Sequence, residues 1–187
     1  MQYFDHAAAC GIVSDLELAS INLALAQHWL SLWSGNAFPN RSALRPADLK
    51  RFLPNLILFD VVPDESVVVR LAGTQINFAL GTELTGRDWI DLAPPTHRAE
   101  RLRIFSRIVS GAIGRGVRNV EMKTGNALSF EEILLPLRGD GDSGTLPVLC
   151  HVDWNPGQDL ARIASREQAW GPALAFETIP LPLLRAA

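Results

Sequence analysis

Between residues 70 and 89 the sequence reads RLAGTQINFALGTELTGRDW, whose three glycines and three threonines have the composition of a phosphate-cradling loop. The spacing argues otherwise. Gly73, Gly81 and Gly86 lie eight and five residues apart, which fits neither G-x-G-x-x-G nor G-x-x-x-x-G-K-[ST]. No lysine occurs between Arg51 and Met122 to reach a phosphate. The glycines read instead as backbone devices: Gly73 for a strand-to-helix turn, Gly81 to end a helical turn, Gly86 for a further bend. Metal chemistry fares no better. His6, His28, His97 and His151 are scattered, and Cys10 and Cys150 are far apart, so no zinc-ligand spacing exists. Cys10 is expected in a mobile N-terminal stretch. Cys150 alternates with apolar residues and reads as a core thiol. No Ser/His/Asp combination is selected by the sequence.

Charged residues supply the remaining candidates. Glu131 and Glu132 are adjacent in a strand pattern, so their side chains should face opposite sides of a sheet. They cannot share one cleft as a glycosidase pair would. Whichever faces a covered side needs a cation, and Arg70 is the expected partner in a structural ion pair, a ligand contact being the alternative. Arg98, Arg101, Arg103, Arg107, Arg115 and Arg118 gather around a long helical segment and the strand that follows it, without interleaved aromatics. They are expected to form a solvated face, the alternative being contact with an acidic protein or a charged nucleotide. The net charge of −3 gives no general attraction for nucleic acid or an anionic membrane.

These residues must be positioned by a chain of 187 residues, which suits one domain with extensions or two small ones. Hydrophobic residues make up 48% and charged residues 20%, enough apolar content for a buried core. The opening MQYFDHAAACGIV lacks the basic start and long apolar core of a signal peptide. No apolar run reaches 18 residues, so membrane insertion is not expected. With two separated cysteines, a reducing cytoplasm is the expected location.

Ser14-Asp15-Leu16-Glu17 reads as a capping box opening a helix over 15–33. Its apolar arc covers roughly 220°, against the stripe of about 100° that a single-sided core requires. The helix should therefore pack against its own domain and a second surface, with Leu18, Ile21, Leu25, Trp29 and Leu32 as contact residues. Deep burial within one chain is the alternative. A short helix is expected over 46–52, then strands over 55–62 and 66–72 joined at Pro63-Asp64-Glu65. Short helical pieces over 75–80 and 87–92 follow, then a longer helix over 94–113. Strands are expected over 116–124, 128–137 and 146–154, separated by Gly125-Asn126 and the turn 139–144. Beyond 154 only a helix over 159–169 can be placed. The resulting class is α+β: a five-stranded antiparallel sheet with helices inserted between strands two and three, preceded by an N-terminal amphipathic helix. The expected boundaries are 1–34 for that helix, 35–154 for the domain and 155–187 for a C-terminal extension.

Several ordered motifs carry a family likeness: Trp33, Pro39-Asn40-Arg41, LRPADLKRFLPNLILFDVV (44–62), VRLAGTQINFALGTELTGRDWIDL (69–92) and EEILLPLRGDG (131–141). Over roughly residues 29–154 the chain resembles the bacterial PAS-domain family of the PAS_5 type. It departs at Val69, where an aromatic would be expected, and in the last 30 or so residues, which have no counterpart. The resemblance implies helices over one face of the sheet, enclosing a small apolar cavity. Leu71, Phe78, Trp89, Phe105, Phe130, Val148, Cys150 and Val152 are its candidate ligand-binding residues, with complete core packing as the alternative. Some PAS proteins hold haem through a helix histidine; His97 stands at a helix start, where an exposed histidine is the expected state. No cofactor is assigned. The implied function is a non-catalytic sensory or regulatory module without an output domain of its own. It would act through a second copy, a regulatory protein partner or both, and be gated by a small ligand. A ligand-free dimerisation scaffold and a small enzyme with an unrecognised site are the alternatives.

Overall fold

The structure, a computed structural model, describes residues 3–35, 37–121, 127–139, 144–154 and 175–183. The β-branched runs Leu56–Val62 (β1) and Ser66–Ala72 (β2) form an antiparallel hairpin. Its turn places Asp64 at φ 60° and is held by Ser106, whose hydroxyl donates to Asp64 Oδ1 at 2.8 Å. The strand Leu146–Trp154 (β5) pairs with β1 on one side and with Ala127–Pro136 (β4) on the other. Ala112–Glu121 (β3) pairs with β4 in turn. A sixth strand, Ala175–Pro180 (β6), pairs with β3, giving the order β2-β1-β5-β4-β3-β6. The sheet is antiparallel, as expected, with one strand more than five. The helix expected over 159–169 lies outside the described residues.

Between β2 and β3 come Thr74–Leu80 (α3) and Pro95–Val109 (α4), which pack on one face of the sheet. Gly81 ends α3 at φ 62°, the left-handed cap that glycine adopts without steric cost. Gly73 serves a close approach: a Cβ there would sit 2.2 Å from the Leu53 carbonyl oxygen and 2.3 Å from that of Pro54. Segments 46–52 and 87–92, expected as short helices, are turns. The second of these covers the free edge of β2, with Val69 N donating to Arg87 O at 2.9 Å and Trp89 N to Val67 O at 2.7 Å.

The single N-terminal helix expected over 15–33 is two helices, His6–Asp15 (α1) and Ser20–Ser31 (α2). Asp5 caps α1, its side chain accepting from Ala8 N, so the stretch around Cys10 is helical. The expected capping box does not form. Asp15 ends α1, and the Ser14 hydroxyl donates back to Cys10 O at 2.9 Å. Together α1 and α2 cover the second face of the sheet. The central strand β5 is consequently buried on both sides: Val148, Cys150 and Val152 face α3 and α4, while Leu149 and His151 face α1 and α2.

Candidate functional site

On α4 the spacing i, i+4, i+7 turns Arg101, Phe105 and Ile108 toward the sheet, the repeat that defines one helix face. Opposite them, β4 alternates Phe130, Glu132 and Leu134, and β5 presents Cys150 and Val152. Between these elements lies a cavity of about 30 Å³, closed further by Phe59, Trp89, Arg118 and Phe176. A space of this size holds about two or three waters.

Its lining is mostly apolar, yet it contains a charged group of three. Arg118 Nε donates to Glu132 Oε1 at 2.5 Å. This is a diagonal pairing, since Arg118 lies opposite Phe130 and Glu132 opposite Gly116. Arg101 is 9% exposed; its Nη1 donates to Trp89 O at 2.8 Å and its guanidinium lies 5.0 Å from the Trp89 ring centroid. Burial, together with repulsion from Arg118, lowers its pKa to about 10, and the Glu132 carboxylate opposes that shift. Burial also raises the Cys150 thiol well above its ordinary value, with Glu132 adding to the effect. Cys150 is therefore a neutral thiol at physiological pH.

The neighbouring Glu131 points to the other face, as the strand alternation predicts. Its Oε1 accepts from Ala19 N at 2.8 Å and from Asn22 Nδ2 at 2.9 Å, while Oε2 meets Arg115 at 3.3 Å. A strand carboxylate thus caps α2, whose own N-cap residue Ala19 has no capping side chain. Asn22 Oδ1 accepts from His151 Nδ1 at 2.7 Å. That assigns the proton to Nδ1, and burial lowers the His151 pKa to about 4. Arg70, the expected ion partner of a glutamate, pairs instead with Asp60 at 3.4 Å. It lies on β2, separated from β4 by β1 and β5.

Of the candidate ligand-binding residues, Trp89, Phe105, Phe130, Cys150 and Val152 line the cavity. Val148 is buried in the same cluster away from the lining. Leu71 and Phe78 must be withdrawn: they are 42% and 47% exposed. A register irregularity pairs Phe59 with Val69 but Leu58 with Leu71, skipping Arg70, and such a bulge turns the next side chain to the other face. Phe78 lies about 200° around the short helix from the inward Ile76.

The contact residues also divide. Leu25 and Trp29 are fully buried against the sheet, with Trp29 Nε1 donating to Pro136 O at 2.8 Å. They are core residues of this chain and cannot serve as an external surface. The wide apolar arc is used by the sheet and by α1, whose Ala9 and Val13 join the same cluster. Leu18 and Ile21 are half-buried beside it, and Leu32 is half-buried at the C-terminal end of α2. The six clustered arginines do not form one patch either. Arg103 and Arg107 are exposed, Arg98 pairs with Asp91 at 3.3 Å, and Arg101 and Arg118 line the cavity.

Sequence reasoning missed Arg101, Arg118 and Glu132 as cavity residues. The helical spacing of Arg101 with Phe105 and Ile108, and the alternation of Glu132 with Phe130 and Leu134, carried that information. His97 stands half-exposed beside Glu100 and away from the cavity. Among the described residues no group of three His, Cys, Asp or Glu side chains could hold a metal, and no helix is long and apolar enough to cross a membrane.

A family model described as PAS_5, PAS domain, matches residues 19–149, leaving α1 and β6 outside the matched segment. Among solved structures the chain is similar to the PAS domain of an HTR-like protein from Haloarcula marismortui. The two are 16% identical, with 58% of this chain and 89% of that chain covered and a TM-score of 0.37. No curated protein matches.

Proposed function

The chain belongs to the PAS domain family, whose members generally serve as sensory or signalling modules, and from that premise we propose that it is a regulatory module without catalysis of its own. A small molecule in the cavity gates its contact with a second copy or with a regulatory protein partner. The observation that carries this reading is the cavity between α4 and the sheet, with charged groups set in a mostly apolar lining. Small-ligand sites are generally built from apolar walls and a few convergent polar groups. The same site is poorly equipped for catalysis, because its thiol is held neutral and Glu132 is engaged by Arg118.

The small volume favours a second reading, a ligand-free interaction scaffold. About 30 Å³ is far below the ~300 Å³ at which pockets for drug-sized ligands begin. Native mass spectrometry of freshly purified protein separates the two, combined with thermal shifts across a metabolite panel and light scattering for oligomer size. The gated module should retain a mass or shift with a metabolite, and its association should change with occupancy. No retained mass and no shift would leave the scaffold. Turnover in a purified activity screen would overturn both.

A further inference from the structure

We propose that the outer face of α4 and the strand β6 form a second ligand site, separate from the cavity, for a small phosphorylated polyol or sugar. Arg103 and Arg107 hold its phosphate, while Ser110 and Thr178 meet its hydroxyls. The site goes beyond the ligand-gated reading above and does not depend on it.

The first argument is charge. A groove of about 550 Å³ separates Arg103, Ser106, Arg107 and Ser110 on the helical side from Thr178 and Pro180 on the strand. Its described lining holds two guanidinium groups and no carboxylate. Both arginines are exposed, and every ion pair among the described residues uses other cations. Arg98, earlier on the same helix, shows the contrast by pairing with Asp91 at 3.3 Å. Asp64 stays outside the lining, its Oδ1 accepting from the Ser106 hydroxyl at 2.8 Å. Like charges four residues apart on a helix destabilise it, and a dianion between them offsets the repulsion.

The second is geometry. Residues at i and i+4 are neighbours on one helix face, with Cβ atoms about 5–6 Å apart. Two guanidinium forks on one face suit the three terminal oxygens of a phosphate monoester, which carries about −1.5 to −2 charge at pH 7. A carboxylate has two oxygens and fills one fork. Arg107 alone would be explained by the negative end of α4, because it sits in the last turn. Arg103 stands a turn earlier and has no such explanation.

The third is the rest of the lining. The volume falls within the roughly 300–1,000 Å³ of small-molecule sites. Ser106, Ser110 and Thr178 bring hydroxyls, and the described lining contains no aromatic ring and no large aliphatic side chain. A nucleobase would find no stacking partner there, and a lipid tail no apolar wall. Ser110 donates its proton to Ser106 O at 2.7 Å, which leaves its oxygen to accept from a ligand hydroxyl. Thr178 can donate or accept. Strand alternation places Thr178 on the same face as Phe176, which reaches the α4 side of the sheet.

Calorimetric titration with glycerol 3-phosphate, ribose 5-phosphate and glucose 6-phosphate tests the proposal. Glucose, inorganic phosphate and a phosphoserine peptide are the comparisons, at equal ionic strength. At least one of the three esters should bind about tenfold or more tightly than inorganic phosphate, and glucose should not bind. Arg103→Gln and Arg107→Gln should each weaken that ester about tenfold or more, while the ligand-free variants keep the wild-type melting temperature. Wild-type protein gives a readout that needs no variant. The ester should shift the Nε–Hε resonances of Arg103 and Arg107 and the amide of Thr178, leaving Arg101 and Arg118 unmoved.

Silence toward all three esters would overturn the proposal, as would equal affinity for inorganic phosphate or tighter binding of the phosphopeptide. Binding that survives both substitutions, or that shifts Arg101 and Arg118 instead, would overturn it too. A thermal shift abolished by the two substitutions belongs to this groove, and one that survives them belongs to the cavity. The two readings therefore fail separately.

Discussion

Two adjacent carboxylates on β4 serve different layers, each paired diagonally with an arginine of β3. Glu132 meets Arg118 inside the cavity, while Glu131 meets Arg115 on the far face and caps α2. Replacing Glu131 with alanine removes the acceptor for Ala19 N, Asn22 Nδ2 and Arg115 together. Hydrogen bonds to charged groups contribute about 1.5–3 kcal/mol, so Glu131→Ala should lose about 2–3 kcal/mol in urea unfolding. A loss below about 0.5 kcal/mol would show that the strand carboxylate does not secure the helix. His151, 1% exposed, makes a separate prediction. Its pKa falls from 6.5 to about 4 on folding, so its contribution is complete above the unfolded value and is lost as pH falls toward the folded one. From about pH 7.5 to about pH 5 that amounts to about 2 kcal/mol, lost by wild-type protein and spared in His151→Gln, which paired denaturation curves would reveal. The opposite orientation of Glu131 and Glu132 was legible from strand alternation alone. Their partners were not, because strand order decides which arginine is near, and two strands, β1 and β5, lie between Arg70 and β4.

At the scale of elements, local signals proved readable and distant ones did not. The β1–β2 hairpin is specified by apolar runs flanking a Pro-Asp-Glu turn, and β5 by its apolar run. The end of α3 is set by Gly81. By contrast, the break between α1 and α2 has no local punctuation, because the cap of α2 comes from Glu131 on a distant strand. The strand β6 was invisible for a related reason: Glu177 meets Arg115 across 62 residues of sequence. What holds β6 is complementary relief. Gly114 and Gly116 leave the inner face of β3 bare, and the Phe176 ring lies across them, 3.1 Å and 2.7 Å from where their Cβ atoms would be. An aromatic laid over strand glycines restores packing that glycine alone cannot provide. Gly73 is the stricter case, since the atoms a side chain would meet are backbone carbonyls of the 3-10 turn Leu53–Asn55. Gly73→Ala should therefore cost at least about 3 kcal/mol or abolish folded yield, read by circular dichroism and denaturant titration. An alanine variant within about 0.5 kcal/mol of wild type would mean that this junction has room the structure does not show.

For the whole molecule, the decisive feature is that the sheet is covered twice. The cluster containing the cavity and the cluster under α1 and α2 are separated by one layer of strands, and β5 contributes to both. A helix that merely flanked a domain would detach without disturbing it, whereas α2 supplies Leu25, Trp29 and Leu30 to a core shared with Ile133, Leu135 and Leu149. Introducing a charge at fully buried Leu25 should thus unfold the protein, because an unpaired buried ion costs several kcal/mol against a total stability of about 5–15 kcal/mol. Leu25→Asp yielding a folded chain with an intact near-ultraviolet spectrum would refute the shared core. Native-state hydrogen exchange gives the same test without substitution. Amides near the middle of α2 should open with a free energy close to that of β5, since elements sharing one cooperative core open together. If α2 opened several kcal/mol more easily than β5, it would instead be a detachable flank.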